Sequence, residues 1–67
     1  MLDNNKAALA DYDKAIEFNP KDSEAYNNRG VVKKRMNFNV GALSDYSQAL
    51  LLAVVATGAV VLMKLNT

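Results

Sequence analysis

The chain has no cysteine, no histidine and no tryptophan among its 67 residues. Without cysteine, neither a disulfide framework nor a thiolate metal site can form. Without histidine, the commonest general base and the commonest metal ligand are missing, so the composition argues against an enzyme. It offers no cofactor site and no metal ligand set. A single proline, Pro20, leaves long stretches free of strong helix breakers. At this length there is room for one small unit with a modest core, which often needs a staple or a partner.

Charge is also scarce in one place. Residues 1–46 hold seven Lys/Arg and seven Asp/Glu, whereas residues 47–67 hold only Lys64. No basic face with interleaved aromatics is visible, which excludes the usual nucleic-acid binder. The opening MLDNNKAALADY is polar from its third residue and does not read as a secretory signal.

What the chain does contain is one phrase written twice. Ala8–Ile16 reads ALADYDKAI, and 34 residues later Ala42–Leu50 reads ALSDYSQAL. Ala8/Ala42, Leu9/Leu43, Asp11/Asp45, Tyr12/Tyr46 and Ala15/Ala49 are identical pairs. The first copy puts Ala8, Leu9, Tyr12, Ala15 and Ile16 on one helical stripe, in a helix running to about Phe18 and capped by Asp3, Asn4 or Asn5. Pro20 stops it. A second helix is expected over about Ser23–Met36, with Asp22 as N-cap and Glu24 suiting the positive helix end. Within it Gly30 costs about 1 kcal/mol against alanine, a cost that close contact with the first or the third helix would offset. Lys33, Lys34 and Arg35 read as a solvated last turn that complements the helix dipole. A third helix starts near Val40 and repeats the first stripe as Ala42, Leu43, Tyr46, Ala49 and Leu50. Asp11 and Asp45 fall at equivalent positions and read as solvated helix faces, not as a catalytic pair.

A 34-residue helical period and the junction NPKDSEAYNNRG (Asn19–Gly30) resemble the tetratricopeptide repeat over about residues 3–52. The resemblance implies an all-α helix–turn–helix array of three helices, the second, first and second helices of successive units. It also implies a non-enzymatic scaffold whose groove holds peptides or partner proteins. Carried over position by position, the groove face is Glu24, Asn27, Asn28, Val31, Lys34 and Arg35. Asn28 stands where an asparagine helps hold a peptide carboxylate in chaperone-binding members. That clamp draws on first helices from consecutive repeats, and this chain has one. The wording DYDKAIEFNPKDSEAYNNRG is similar to repeats common in cyanobacterial, plastid and algal proteins, which points to a photosynthetic membrane such as the thylakoid.

After Leu50 the copies part. Glu17, Asn19 and Pro20 become Leu51, Ala53 and Val54, and nothing ends the third helix. From Tyr46 to Met63 no residue is charged; as a helix these 18 residues extend about 27 Å. A hydrocarbon core is about 30 Å thick. Residues 1–45 are thus expected to form the repeat-like region, and residues 46–65 a membrane-spanning helix continuous with it. Burial of the tail in a soluble partner, or a hairpin turning at Thr57-Gly58, are the competing readings. Lys33, Lys34 and Arg35 outnumber Lys64 and would keep the repeats on the cytoplasmic, stromal or matrix side. Ala49, Ala53, Thr57 and Gly58 offer small residues for packing between membrane helices. The expected function is a structural subunit of a membrane complex with protein partners and a lipid bilayer around its tail, which could also touch pigments. The alternative is a soluble adaptor or peptide-binding fragment with a buried tail.

Overall fold

Three helices follow one another in the computed structural model, which describes residues 4–57. They are α1 (Asn5–Phe18), α2 (Ser23–Arg35) and α3 (Asn39–Thr57). Helix is the only regular structure among the described residues, so the all-α expectation holds.

Local chemistry sets each boundary. The Asn4 side chain caps α1 by accepting from the Ala7 N–H at 3.4 Å. At the other end, the Asn19 carbonyl accepts from the Asp22 N–H at 3.1 Å, closing a turn around Pro20. Within that turn the Asn19 side chain accepts from the Lys21 N–H at 3.2 Å. Asp22 then caps α2 through the Ala25 N–H at 3.1 Å, as expected. The helix ends at Arg35 with Asn37 at φ 64°. The Asn37 and Phe38 N–H groups donate to the Lys34 and Lys33 carbonyls at 3.0 and 2.8 Å. This pair of bonds is a Schellman ending, with asparagine at the left-handed position where glycine is commonest.

α2 is the middle element. It packs against α1 on one side and more extensively against α3 on the other, while α1 and α3 do not pack on each other. The buried apolar residues are small: Ala25, Val32, Ala42 and Ala49. Small side chains bring the backbones together rather than filling a thick core. Gly30 does so most directly, since a Cβ there would stand 2.8 Å from Cε1 of Tyr46 and 3.2 Å from the Ala42 carbonyl oxygen. The close contact expected of Gly30 is therefore with α3. The expected stripe is only partly a core, because Leu43 and Leu50 are 66% and 67% exposed. They lie beside the α2–α3 seam rather than in it, each lining a shallow groove with residues of α2.

Candidate functional site

α2 has two faces with different chemistry. Glu24, Asn27, Asn28, Val31, Lys34 and Arg35 recur at i, i+3, i+4, i+7, i+10 and i+11, which places them on one stripe. Glu24, Asn27, Lys34 and Arg35 are exposed, and Asn28 and Val31 are half-buried. The stripe is acidic at its start and basic at its end. Glu24 and Asn27 line a shallow groove of about 350 Å³ with Tyr46, Ala49, Leu50 and Ala53. Lys34 lines another of about 320 Å³ with Asn39, Ala42, Leu43 and Tyr46. Asn28, Val31 and Arg35 lie outside both grooves.

The inner face carries a charge cluster. Arg29 donates from Nε to Asp45 Oδ2 and from Nη2 to Asp45 Oδ1, both at 2.8 Å. Its Nη1 donates to Asp13 Oδ1 at 2.8 Å, so one guanidinium joins α2 to both neighbours. Lys33 adds its Nζ at 3.1 Å from Asp45 Oδ2. The guanidinium also lies 5.3 Å from the centroid of the Tyr26 ring. Asp45 is 3% exposed. Burial pushes its carboxyl pKa up, but the hydrogen bonds and charges of Arg29 and then Lys33 outweigh that and hold it below the ordinary 3.8. The Arg29 pKa is raised, chiefly by its bond to Asp45, with burial opposing and Asp13 assisting.

Two expectations are corrected here. Asp45 is not a solvated face but a buried ion-pair acceptor, whereas its counterpart Asp11 is exposed. Lys33 is not part of a solvated terminus, because it reaches Asp45; Lys34 and Arg35 remain exposed. Periodicity of apolar residues missed Arg29 altogether. Its signal was its place between Tyr26 and Gly30 on the packed face, with an aspartate beside Tyr46 on the facing helix.

α3 is long and apolar enough to cross a membrane by length and composition. Its first half packs on α2 through Ala42, Asp45 and Ala49. Beyond Ala49 the helix runs on with Leu50, Leu51 and Val55 exposed. Of the small residues expected to pack between membrane helices, Ala49 is buried within the chain and Ala53 and Thr57 are exposed. Gly58 lies outside the described residues. No cluster of potential metal ligands occurs among the described residues.

Comparison with protein families matches the TPR repeat model to residues 2–37, which takes in α1, α2 and the turn between them. Comparisons with curated proteins and with solved structures give no significant match.

Proposed function

The chain belongs to the tetratricopeptide-repeat family, and from that premise we propose that it is a non-enzymatic scaffold anchored in a membrane protein complex. The observation behind the scaffold reading is the division of labour on α2. Its inner face is spent on holding α1 and α3, while Glu24, Asn27, Asn28, Val31, Lys34 and Arg35 are left for a partner segment. The basic end at Lys34 and Arg35 suits an acidic or carboxylate-bearing stretch of that segment.

Anchoring is supported by α3, which continues past the end of α2 with apolar side chains turned outward. Asp45 stays on the repeat side, held by Arg29 and Lys33, and the anchor begins beyond it in residues 46–65. Such an anchor places the repeats on the side favoured by Lys33, Lys34 and Arg35, cytoplasmic, stromal or matrix. A photosynthetic membrane fits the wording of the repeat.

One observation favours a second reading. Residues up to Ala49 are already engaged with α2, so by sequence the apolar run that remains for an anchor is Leu50–Met63. Fourteen residues make about 21 Å of helix, short of a hydrocarbon core of about 30 Å. A tail buried in a partner protein would need no more.

Alkaline carbonate extraction of native membranes, then native sizing in detergent, separates the two. Retention in the membrane followed by migration in a large assembly is the expected result. Release by carbonate would refute the anchor. Crosslinking through Lys34 should capture the partner, and E24R/R35E, which leaves the Lys34 amine in place, should abolish that capture without lowering the helical signal. Unchanged capture would refute the α2 stripe as the binding face.

A further inference from the structure

α1 and α3 are two copies of one phrase, and the charges that differ between them single out one face. α1 carries five charged residues, Lys6, Asp11, Asp13, Lys14 and Glu17. Four of them are lost in α3, where Val40, Ser47, Gln48 and Leu51 stand 34 residues on. The fifth is kept as Asp45, which is buried under Arg29. α3 therefore turns no charge outward from Asn39 to Thr57.

Ala42, Asp45 and Ala49 form its buried side, against α2. At about 100° per residue, the stripe opposite them is Val40, Ser44, Ser47, Leu51, Val54 and Val55. All but Val54 are exposed, Val40 at 85%, and neither groove along the α2–α3 seam includes them. On α1 the same stripe carries exposed Lys6, Asp13 and Glu17, as a solvated face does. A crossing helix that begins at Tyr46 gives no reason for an exposed valine at 40. Charge is also divided across the stack. Residues 1–20 hold two lysines and four Asp/Glu, whereas residues 21–57 hold five Lys/Arg and three Asp/Glu. α1 packs on α2 and not on α3, so the acidic part lies away from the uncharged stripe and the basic part beside it.

We propose that the outward stripe of α3, Val40–Val55, lies along an anionic lipid surface. This rests on the membrane reading above and specifies that α3 meets the lipid along its length rather than end-on. An interfacial helix sinks about 5–10 Å into the headgroup–acyl boundary, and packed helices lie about 8–10 Å apart. With α3 at that depth, α2 rides at the level of the headgroups and the acidic α1 stands clear in water. A helix in the plane has no bilayer thickness to match, so the shortfall of Leu50–Met63 disappears. A partner helix would bury the stripe equally well, but it gives no reason for the division of charge between α1 and the α2–α3 pair.

The chain has no cysteine, so an introduced one reports a single site. V40C, S44C and L51C on α3, and their α1 counterparts K6C, A10C and E17C, each carry an environment-sensitive dye. Each full chain is mixed with vesicles of phosphatidylcholine and phosphatidylglycerol that hold a nitroxide near the headgroups. Flotation with the vesicles comes first, and its absence would overturn this proposal together with the membrane reading. Similar quenching at V40C, S44C and L51C is expected, with none at K6C, A10C and E17C. Quenching at L51C without V40C would overturn the proposal and leave an end-on anchor standing. Equal quenching on both helices would overturn it too, since no face would then be selected. Phosphatidylcholine alone should require about tenfold more lipid for half-maximal quenching; equal requirements would refute the anionic surface. V40K/S47D/L51E writes the α1 residues onto α3 at three exposed positions, so circular dichroism should keep its helical signal. It should abolish quenching of a dye at V55C. Persistent quenching there would mean that the tail alone carries the helix into lipid, which overturns the proposal. This variant leaves the α2 stripe intact, so crosslinking through Lys34 tests that reading separately.

Discussion

Arg29 and Asp45 meet across the α2–α3 interface as a two-pronged pair, with both N–O distances at 2.8 Å. Their side chains are 18% and 5% exposed, so the pair is largely withdrawn from water. A buried pair adds little over a well-packed apolar one, because desolvation cancels much of the attraction; losing one partner is what costs, about 3–5 kcal/mol. Asp45→Leu leaves Arg29 with Asp13, whose side chain is 61% exposed. Arg29→Leu leaves Asp45 with Lys33. Each single variant should lose about 3 kcal/mol in urea unfolding, and R29L/D45L far less than the sum. Strictly additive losses would mean the pair contributes nothing as a pair.

The pH dependence has a definite sign. Asp45 has a depressed pKa in the folded chain, so over the acid range the folded state binds fewer protons than the unfolded one. Its contribution is complete above the ordinary value of 3.8 and is lost as pH falls through the folded-state pKa. Thermal melts should therefore shift downward on acidification below about pH 4, and D45N should flatten that part of the profile. An equally steep acid limb in D45N would assign the transition to other carboxylates.

Two glycines should respond in opposite directions to alanine. At Gly30 the new Cβ meets the Tyr46 ring at 2.8 Å and the Ala42 carbonyl, which is backbone and cannot step aside. Overpacking of about 1–3 kcal/mol then outweighs the helix-propensity gain of about 1 kcal/mol. At Gly41 the nearest atom is Cδ of Lys33 at 3.3 Å, part of a flexible stem. G41A should raise the melting temperature and G30A lower it. The reverse order would refute the Gly30–Tyr46 packing.

Asn37 supplies the left-handed residue that ends α2. Glycine takes this conformation without a Cβ penalty, whereas an ordinary L-residue carries a cost of roughly 1–2 kcal/mol. N37G should stabilise by a few tenths of a kcal/mol, up to about 1, and N37A should destabilise by about 1. Denaturant midpoints of the three proteins check the order.

Much of this architecture is legible in the residues. The repeated phrase, Pro20 and Asp22 place α1 and the start of α2 closely, because caps and breakers act over a few neighbouring groups. Asn39 opens α3 one residue before the expected Val40, since the Schellman bonds of Asn37 and Phe38 bring the chain straight into the next helix. The roles of Arg29, Lys33 and Asp45 were hidden for a different reason. A charge on an amphipathic pattern reads as solvent-facing until the facing helix shows its partner, and that partner is 16 residues away from Arg29. The exposure of Leu43 and Leu50 was hidden likewise, since a stripe records which residues share a face and not how much of the face a short neighbour covers.

The unbroken run of α3 also fixes an angle. Where α1 meets Pro20, α3 has Val54 and remains helical to Thr57. A continuous helix turns by about 100° per residue and resists torsion over a few turns. Whatever grips its far end therefore sets the compass bearing of the α2 face. One alanine inserted after Leu52 would swing that face about a quarter-turn relative to the grip, and four would bring it nearly back, with the buried seats of Ala42, Asp45 and Ala49 left in place.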